Sequence, residues 1–153
     1  MARRGTTGKT LRHDAAALLA RCPGCNARLA ARHITAFLER ALSPCGLGVA
    51  QLSLMAQIAA ATDDTLGALA RRCGLDASTL SRNLRTLERD GLVEIVAVGA
   101  DLRRRAVWLT ETGARRLEAA IPLWRGAQAK LARHLTAGLA RDLAREAEML
   151  AAS

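Results

Sequence analysis

Residues 66–109 decide the fold of this 153-residue chain: LGALARRCGLDASTLSRNLRTLERDGLVEIVAVGADLRRRAVWL. The first part of the stretch predicts two helices, Leu66–Cys73 and Ala77–Arg89, because its leucines recur at helical spacing. Gly74 is suited to ending the first helix in a left-handed conformation, and Asp76 is suited to capping the second. A connection this short makes two consecutive helices cross steeply.

The rest of the stretch changes from a helical to an extended pattern. Two short runs, Leu92–Val98 and Arg104–Leu109, are joined by the sequence GADL at 99–102, which favours a β-hairpin. Two crossed helices followed at once by a hairpin are the layout of a winged helix-turn-helix, which we assign to residues 48–110. The hairpin is then the wing, and Ala77–Arg89 is the helix available for recognition.

Five further helices are predicted around this stretch, over Leu11–Ala20, Asn26–Leu42, Val49–Ala61, 110–134 and Leu139–Ala151. Their apolar residues recur at spacings of three and four. Pro122 should kink the fourth of these helices because proline removes one backbone hydrogen bond. The predicted fold class is therefore mostly α with a small β-hairpin wing.

The helices outside the central segment are predicted to form a dimer. Residues 1–10 are basic and polar and are interpreted as a flexible tail, whereas 11–153 are interpreted as a single domain. Within that domain, 11–45 and 111–153 carry apolar stripes that the central segment cannot cover, so a second copy of the chain would bury them. The candidate dimer core comprises Leu29, Ile34, Phe37, Leu38, Leu139, Leu143 and Met149. Packing within one chain is the alternative.

The composition agrees with a helical protein. Half of the residues are hydrophobic, but only 2% are aromatic and none is tyrosine, whereas a β-sandwich core needs more aromatic and β-branched residues. No run of 18 apolar residues occurs, so we expect neither a transmembrane helix nor a membrane partner. The N-terminus lacks the apolar core of a secretory signal. We therefore expect a cytoplasmic protein whose cysteines are reduced.

The charge points to a polyanionic partner. The chain has 23 lysines and arginines against 14 aspartates and glutamates, which gives a net charge of +9. A surplus of this size is typical of proteins that bind nucleic acid, and a helix-turn-helix binds double-stranded DNA.

The predicted recognition helix and wing carry the side chains that DNA contacts require. The outer face of Ala77–Arg89 presents hydroxyl, amide and guanidinium groups suited to base edges and phosphates, namely Ser78, Thr79, Ser81, Arg82, Asn83 and Arg85. On the hairpin, Arg103, Arg104 and Arg105 suit the adjacent minor groove. Each group alone could merely start a helix or solvate a surface. Their order and the net charge together favour DNA binding.

Several motifs are similar to those of the MarR family of transcription regulators, across roughly residues 27–135. They are GL at 46–47, LGALA at 66–70, LSRNL at 80–84, LERDGLV at 87–93, DLR at 101–103 and LTETG at 109–113. The Leu-Glu-x-x-Gly-Leu-Val element, the Asp-x-Arg wing and the Leu-Thr-x-x-Gly helix start are together specific to that family.

The resemblance implies a homodimeric regulator that binds a pseudo-palindromic operator. It implies that Ala77–Arg89 is the recognition helix, that Arg103 is the wing arginine entering the minor groove, and that Asp101 holds this arginine in place. The expected function is a sequence-specific transcriptional repressor whose affinity for DNA is lowered by a small-molecule ligand or by a thiol or metal signal.

Cys22 and Cys25, in the sequence CPGC, are the candidate sensor thiols. Two thiols at this spacing can clamp a soft metal ion or form a disulfide. A four-ligand zinc site within one chain is not expected, because Cys45 follows Cys25 by a helix roughly 30 Å long. Some members of the resembled family sense oxidants through a cysteine near this place, but they use tyrosines that this chain lacks. A helix cap with incidental thiols is the alternative, and no other cofactor is expected.

A small-molecule pocket is a second candidate sensor. Members of the resembled family bind aromatic acids or acyl thioesters between the dimerisation helices and the winged domain. The residues that could form such a pocket here are Arg28, Arg32, His33, Phe37 and Met55, with arginine available to meet an anion. The alternative is that the two arginines form a solvated face and the histidine has no ligand.

Catalysis is not expected. The three histidines do not cluster with carboxylates at helical spacing, and the sequence contains no Gly-rich phosphate loop, nucleophile elbow or HExxH motif. The remaining alternative function is a thiol-based metal-binding or redox-sensing protein that acts through Cys22 and Cys25. That alternative predicts metal or a disulfide in the purified protein and little effect of removing Arg103.

Overall fold

The computed structural model describes residues 5–62, 65–97 and 105–151. Seven helices and two strands occupy these ranges: α1 Gly5–Arg21, α2 Pro23–Leu42, α3 Val49–Ala59, α4 Leu66–Cys73, α5 Ala77–Arg89, β1 Val93–Ala97, β2 Arg105–Leu109, α6 Glu111–Leu131 and α7 Ala137–Ala151. A 3₁₀ turn, Ser43–Cys45, lies between α2 and α3. The predicted fold class, mostly α with one small hairpin, is confirmed.

The chain divides into two compact units, Met1–Phe37 and Leu38–Ser153, with the division inside α2. The first unit holds α1 and most of α2, and the second holds the remaining elements. α1 begins at Gly5, six residues before the start predicted at Leu11. No proline interrupts this segment, and a helix nucleated in the alanine-rich stretch that follows gains one backbone hydrogen bond per added residue.

The core of the second unit is built around α3. Its residues Leu54, Met55 and Ile58 are buried, and the helix packs against α4, α6 and β2. The largest fully buried side chains of the core are Leu42, Met55, Leu69, Leu84, Leu87 and Val107. Four of these six are leucines, so the small aromatic content of the sequence does not prevent a closed core.

The two helices of the helix-turn-helix have the predicted bounds, because local capping fixes both ends of their connection. Gly74 ends α4 in the left-handed region with φ of 61°, as predicted. The side chain of Asp76 caps α5. The side chain of Thr65 caps the start of α4 by accepting a hydrogen bond from the backbone N–H of Ala68.

The hairpin strands pair antiparallel, with Val93 opposite Leu109 and Ala97 opposite Arg105. β1 begins one residue after the predicted start at Leu92, and β2 ends at Leu109 as predicted. The residues between the strands, 98–104, lie outside the described residues. Val93 and Val107 are buried, so this end of the hairpin belongs to the core.

The start of α6 is fixed against the beginning of the hairpin. Thr110 Oγ1 donates a hydrogen bond of 2.7 Å to the carbonyl of Gly91 and accepts one of 2.9 Å from the N–H of Gly113. A Cβ atom at Gly113 would lie 1.9 Å from the carbonyl oxygen of Leu92. Only glycine therefore allows α6 to approach the chain this closely.

Among the described helices, no single one is long and apolar enough to cross a bilayer. α2 with its 3₁₀ turn has the length and apolar composition of a membrane span only when it is taken together with α3. The pair is bent by 74°.

Candidate nucleic-acid interface

α5 has one buried face and one exposed face. Its inner stripe, Leu80, Leu84 and Leu87, is buried in the core, as the sequence predicted. The predicted DNA-contacting side chains lie on the other faces: Ser78, Ser81, Arg82 and Arg85 are exposed, and Thr79 and Asn83 are half-buried. The structure thus places a row of polar groups on a helix whose opposite face is packed in the core.

The N-terminus of α5 is occupied by the carboxylate of Asp76. Its Oδ1 accepts hydrogen bonds from Ser78 Oγ at 2.6 Å and from the backbone N–H of Thr79 at 2.8 Å. Its Oδ2 accepts a third from Thr79 Oγ1 at 2.8 Å. The Ser78 hydroxyl, then the N–H and hydroxyl of Thr79, hold the pKa of Asp76 well below its usual range.

This cap assigns Ser78 and Thr79 a local role. A hydroxyl group has one hydrogen to donate, and in both residues that hydrogen goes to Asp76. A phosphate oxygen offers only acceptors, so contact with phosphate would compete with the cap. Direct DNA contact by these two residues stays a prediction. Arg82 joins the network through a donated bond of 3.4 Å from Nη2 to Thr79 Oγ1.

A small recess between α5 and the hairpin brings three predicted residues together. It has a volume of about 120 Å³, and its polar lining comprises Ser81, Arg85, Glu88 and Arg105. Glu88 is not among the contact residues predicted from the sequence. The signal was present, because Glu88 follows Arg85 by three residues and Ser81 by seven, which places all three on one helical face.

The wing is described only at its base. Arg105 is the first residue of β2 and is exposed. Asp101, Arg103 and Arg104 lie outside the described residues, so their predicted contacts stay predictions.

The candidate sensor thiols lie at the junction of α1 and α2. Cys22 directly precedes α2, Cys25 lies in its first turn, and both are half-buried free thiols. The backbone N–H and the thiol of Cys25 lower the pKa of Cys22, whereas the hydrogen bond to Cys22 and its charge raise the pKa of Cys25. Asn26 closes the junction by donating to the carbonyls of Ala20 and Cys22, at 3.3 and 3.1 Å.

Few other groups near these thiols suit a metal ion. Within the described residues, no group of three or more histidine, cysteine, aspartate or glutamate side chains is placed to hold one. Cys45 donates from Sγ to the carbonyl of Leu42 at 2.9 Å, and burial raises the pKa of the Cys73 thiol.

The predicted ligand-pocket residues are divided between the two units, and the pocket stays a prediction. Arg28, Arg32 and His33 are exposed and Phe37 is half-buried, all in the first unit, whereas Met55 is fully buried in the core of the second.

A different cavity lies in the second unit, among the end of α2, α3 and α6. This apolar cavity has a volume of about 520 Å³, and it is lined by Leu38, Leu42, Val49, Leu52, Ser53, Ala56, Ala59, Ala60, Leu117, Ile121 and Trp124. The sequence contained one signal for this cavity. α3 has a second apolar stripe, at 49, 52, 56 and 59, in addition to the stripe that is buried in the core.

Comparisons with known proteins agree with this geometry. A model of the MarR family matches residues 46–104. The M. tuberculosis transcriptional regulator MosR, crystallised in complex with DNA, is 38% identical to this chain. The comparison covers 86% of this chain and 98% of MosR, with a TM-score of 0.79. The chain belongs to the MarR family.

Two further MarR-family structures are similar. Another MosR structure gives 34% identity over 88% of this chain and 99% of MosR, with a TM-score of 0.75. A mutant of E. coli MarR, complexed with operator DNA, is 25% identical to this chain, with a TM-score of 0.74. The comparison covers 87% of this chain and 96% of the MarR chain. No curated protein sequence matches the chain significantly.

Membership of the MarR family confirms two predictions from the sequence. The chain is a winged-helix transcription regulator of the kind that binds DNA, and it is not an enzyme. In the terms of that family, α4 and α5 are the helix-turn-helix and α5 is its recognition helix.

Proposed function

We propose that this MarR-family protein is a homodimeric repressor that binds a pseudo-palindromic DNA operator in the cytoplasm. The observation that carries the proposal is α5, whose leucines are buried in the core while Ser81, Arg82 and Arg85 remain exposed. Ser81 and Arg85 also line a recess with Arg105 of the hairpin. Such a helix can enter a major groove without disturbing its own packing. The DNA complexes of MosR and E. coli MarR support this role.

The exposed apolar side chains of the terminal helices support the homodimer. Of the predicted dimer-core residues, Leu29, Leu139, Leu143 and Met149 are exposed, with 45% to 64% of each accessible. Ile34, Phe37 and Leu38 are half-buried. A second copy would cover these side chains, and the two-fold axis of the dimer would present two recognition helices about one turn of DNA apart, roughly 34 Å.

The experiment that tests DNA recognition begins with duplexes enriched by the protein from a randomised library. We expect a pseudo-palindromic consensus. Arg82→Ala and Arg85→Ala should each weaken binding to it by about tenfold or more, the scale of one lost base or phosphate contact. Arg125→Ala, which removes an exposed arginine from α6, is the matched control and should change affinity much less. Fluorescence anisotropy of labelled duplexes measures all three.

Two results would contradict the proposal. The first is the absence of any enriched consensus. The second is an equal loss of affinity in the Arg82, Arg85 and Arg125 variants, because that pattern reflects net charge alone. Repression itself is tested by a reporter whose promoter carries the consensus, since a repressor lowers transcription and an activator raises it.

We propose that release from DNA follows a ligand or a signal at the thiols. The geometry that favours a thiol signal is the contact of Cys22 with Cys25, where Cys22 bears the lower pKa. With hydrogen peroxide as oxidant, the two thiols would lose two protons and two electrons to form an Sγ–Sγ bond, while the hydrogen peroxide would be reduced to two molecules of water.

The same pair carries the alternative function, a thiol-based metal-binding or redox protein. The double variant Cys22→Ser, Cys25→Ser should keep its DNA affinity and lose any response to peroxide or to a soft metal ion. Cys45→Ser with Cys73→Ser is the matched control, because it removes the other two thiols. A purified protein that holds metal at Cys22 and Cys25 and enriches no DNA would favour the alternative.

A further inference from the structure

Glu88 is an exposed carboxylate that the stability of the fold does not explain. It lies in the last turn of α5, and it forms no ion pair with any residue that the structure describes. The nearby carboxylate of Asp90, in contrast, pairs with Arg89 at 3.4 Å. A negative charge at the C-terminal end of a helix is unfavourable, because the last carbonyl groups there already carry partial negative charge. The fold therefore gains nothing from a carboxylate at this position.

Glu88 shares the recess between α5 and the hairpin with two arginines. Arg85 precedes Glu88 by three residues, so their side chains are neighbours on the helix surface. Arg105 reaches the recess from the hairpin, on the strand face that also carries the buried Val107. A recess of about 120 Å³ is roughly 6 Å across, which is shorter than the screening length of about 8 Å in physiological salt. The carboxylate therefore attracts both guanidinium groups.

The recess lies where one strand of bound DNA would pass. A recognition helix in the major groove and a wing in the adjacent minor groove lie on either side of one sugar–phosphate strand. Arg85 and Arg105 would approach that strand from its two sides, and the hydroxyl of Ser81 can donate to it. The charge of Glu88 repels the same phosphates. The carboxylate therefore lowers the affinity for duplexes of any sequence, and its favourable effect has to come from the arginines that it attracts.

We propose that Glu88 is a positioning residue that determines the specificity of DNA binding. Its carboxylate draws the guanidinium groups of Arg85 and Arg105 toward the recess and thereby orients the recognition helix and the wing base for one arrangement of DNA groups. An oriented arginine loses less side-chain entropy when it binds its target. A matching operator gains from this orientation, whereas other duplexes meet mainly the repulsion. The inference rests on the proposed DNA recognition and adds to it a residue outside the predicted contacts.

The test compares the wild type with Glu88→Gln on two labelled duplexes of equal length, the enriched consensus and a random sequence. Fluorescence anisotropy at one salt concentration should show the random duplex bound about threefold more tightly by the variant, because the repulsion between unit charges roughly 6 Å apart in water is removed. The consensus should be bound about threefold more weakly, because the arginines lose their orientation. The ratio of the two affinities should therefore fall by about tenfold, the scale of one base contact.

Glu118→Gln is the matched control. It removes the same charge from an exposed position of α6, outside the recess. It should leave the ratio of the two affinities unchanged, because a distant change in net charge acts equally on both duplexes.

Two further measurements separate positioning from a structural role. Urea denaturation should give Glu88→Gln a midpoint equal to or higher than that of the wild type, because a negative charge leaves the helix C-terminus. In an Arg105→Ala background, Glu88→Gln should weaken consensus binding by a factor at least about twofold smaller than in the wild type. The reason is that Glu88 then has one arginine fewer to position.

The inference is overturned by any of three results. If Glu88→Gln changes the affinity for both duplexes by the same factor, the carboxylate contributes charge alone. If it lowers the urea midpoint and weakens binding to both duplexes, its role is structural. If its effect is the same with and without Arg105, it does not act through the hairpin. The wild type alone tests the proposed function: without an enriched consensus that function fails, whereas an enriched consensus with an unchanged affinity ratio refutes only the role of Glu88.

Discussion

At the scale of single residues, the carboxylate of Asp76 governs how the recognition helix begins. It satisfies the N–H of Thr79 and fixes two hydroxyls, so the first turn of α5 is ordered before any partner arrives. The cap was predicted from the sequence because an aspartate before an apolar-periodic run is a local signal. The hydrogen bonds from the hydroxyls of Ser78 and Thr79 to this carboxylate were not predicted, because they depend on side-chain rotamers.

The lowered pKa of Asp76 predicts a pH-dependent contribution to stability. A carboxyl group whose pKa is depressed on folding stabilises the native state above its unfolded pKa of about 3.9, and this contribution is lost as the pH falls toward the folded value. Asp76→Asn should therefore be less stable than the wild type by a constant amount from pH 5 to 7. The difference should shrink below about pH 4.

Urea denaturation of both proteins over this pH range measures the effect. Asp90→Asn is the control, since Asp90 is an exposed carboxylate at the other end of the same helix. A difference between wild type and Asp76→Asn that stays constant down to pH 2 would show that the hydrogen bonds, not the ionised carboxylate, carry the stabilisation.

At the scale of elements, the contact between Gly113 and Leu92 joins α6 to the hairpin. Because a Cβ atom there would lie 1.9 Å from a backbone oxygen, the two elements approach as closely as a backbone can. The contact explains why the motif Leu-Thr-x-x-Gly requires its last residue. The threonine caps the helix, and the glycine makes room for the carbonyl of Leu92.

Gly113→Ala should lower the free energy of unfolding by about 1 to 3 kcal/mol, the usual range for overpacking a filled site. Gly126→Ala is the matched control in the same helix, because a Cβ there meets no atom within 4 Å. The control should be neutral or stabilising by up to about 1 kcal/mol. Equal effects in the two variants, measured by chemical denaturation, would show that the backbone at Gly113 can move away.

Elements with local capping signals were predicted well. The bounds of α4 and α5 follow from Gly74 and Asp76, and both helices were predicted to the residue. α7 begins at Ala137 rather than Leu139, and the overlooked signal is Thr136, whose Oγ1 accepts a hydrogen bond from the N–H of Leu139. The apolar cavity could not be predicted, because its walls come from segments more than 50 residues apart that only tertiary packing brings together.

At the scale of the whole molecule, α7 is the element most in need of a partner. All of its residues from Ala137 to Leu150 except Gly138 are exposed, including Leu139, Leu143 and Met149. An isolated helix of 15 residues is marginally stable in water, so its formation depends on tertiary or intermolecular packing. In the proposed homodimer, a second copy of the chain would supply that packing.

The double variant Leu139→Glu, Leu143→Glu should therefore shift the protein from dimer to monomer in sedimentation velocity. It should also weaken operator binding by more than about tenfold, because two linked recognition helices act at a high effective concentration. Glu146→Gln with Glu148→Gln, on exposed polar positions of the same helix, is the control and should remain dimeric. A dimer that survives the double variant would exclude α7 from the interface.

The fixed start of α6 has a consequence for the geometry of the operator. α6 runs through Pro122 without a break over 21 residues and about 30 Å, with its first turn packed against the hairpin and its far end leading to α7. α6 therefore couples movement at its two ends. If the helix tilts by about 10° about its α7 end, its DNA-binding end moves by about 5 Å, or between one and two base pairs of axial rise. The range of half-site spacings that the protein can bind should therefore depend on how stiff α6 is.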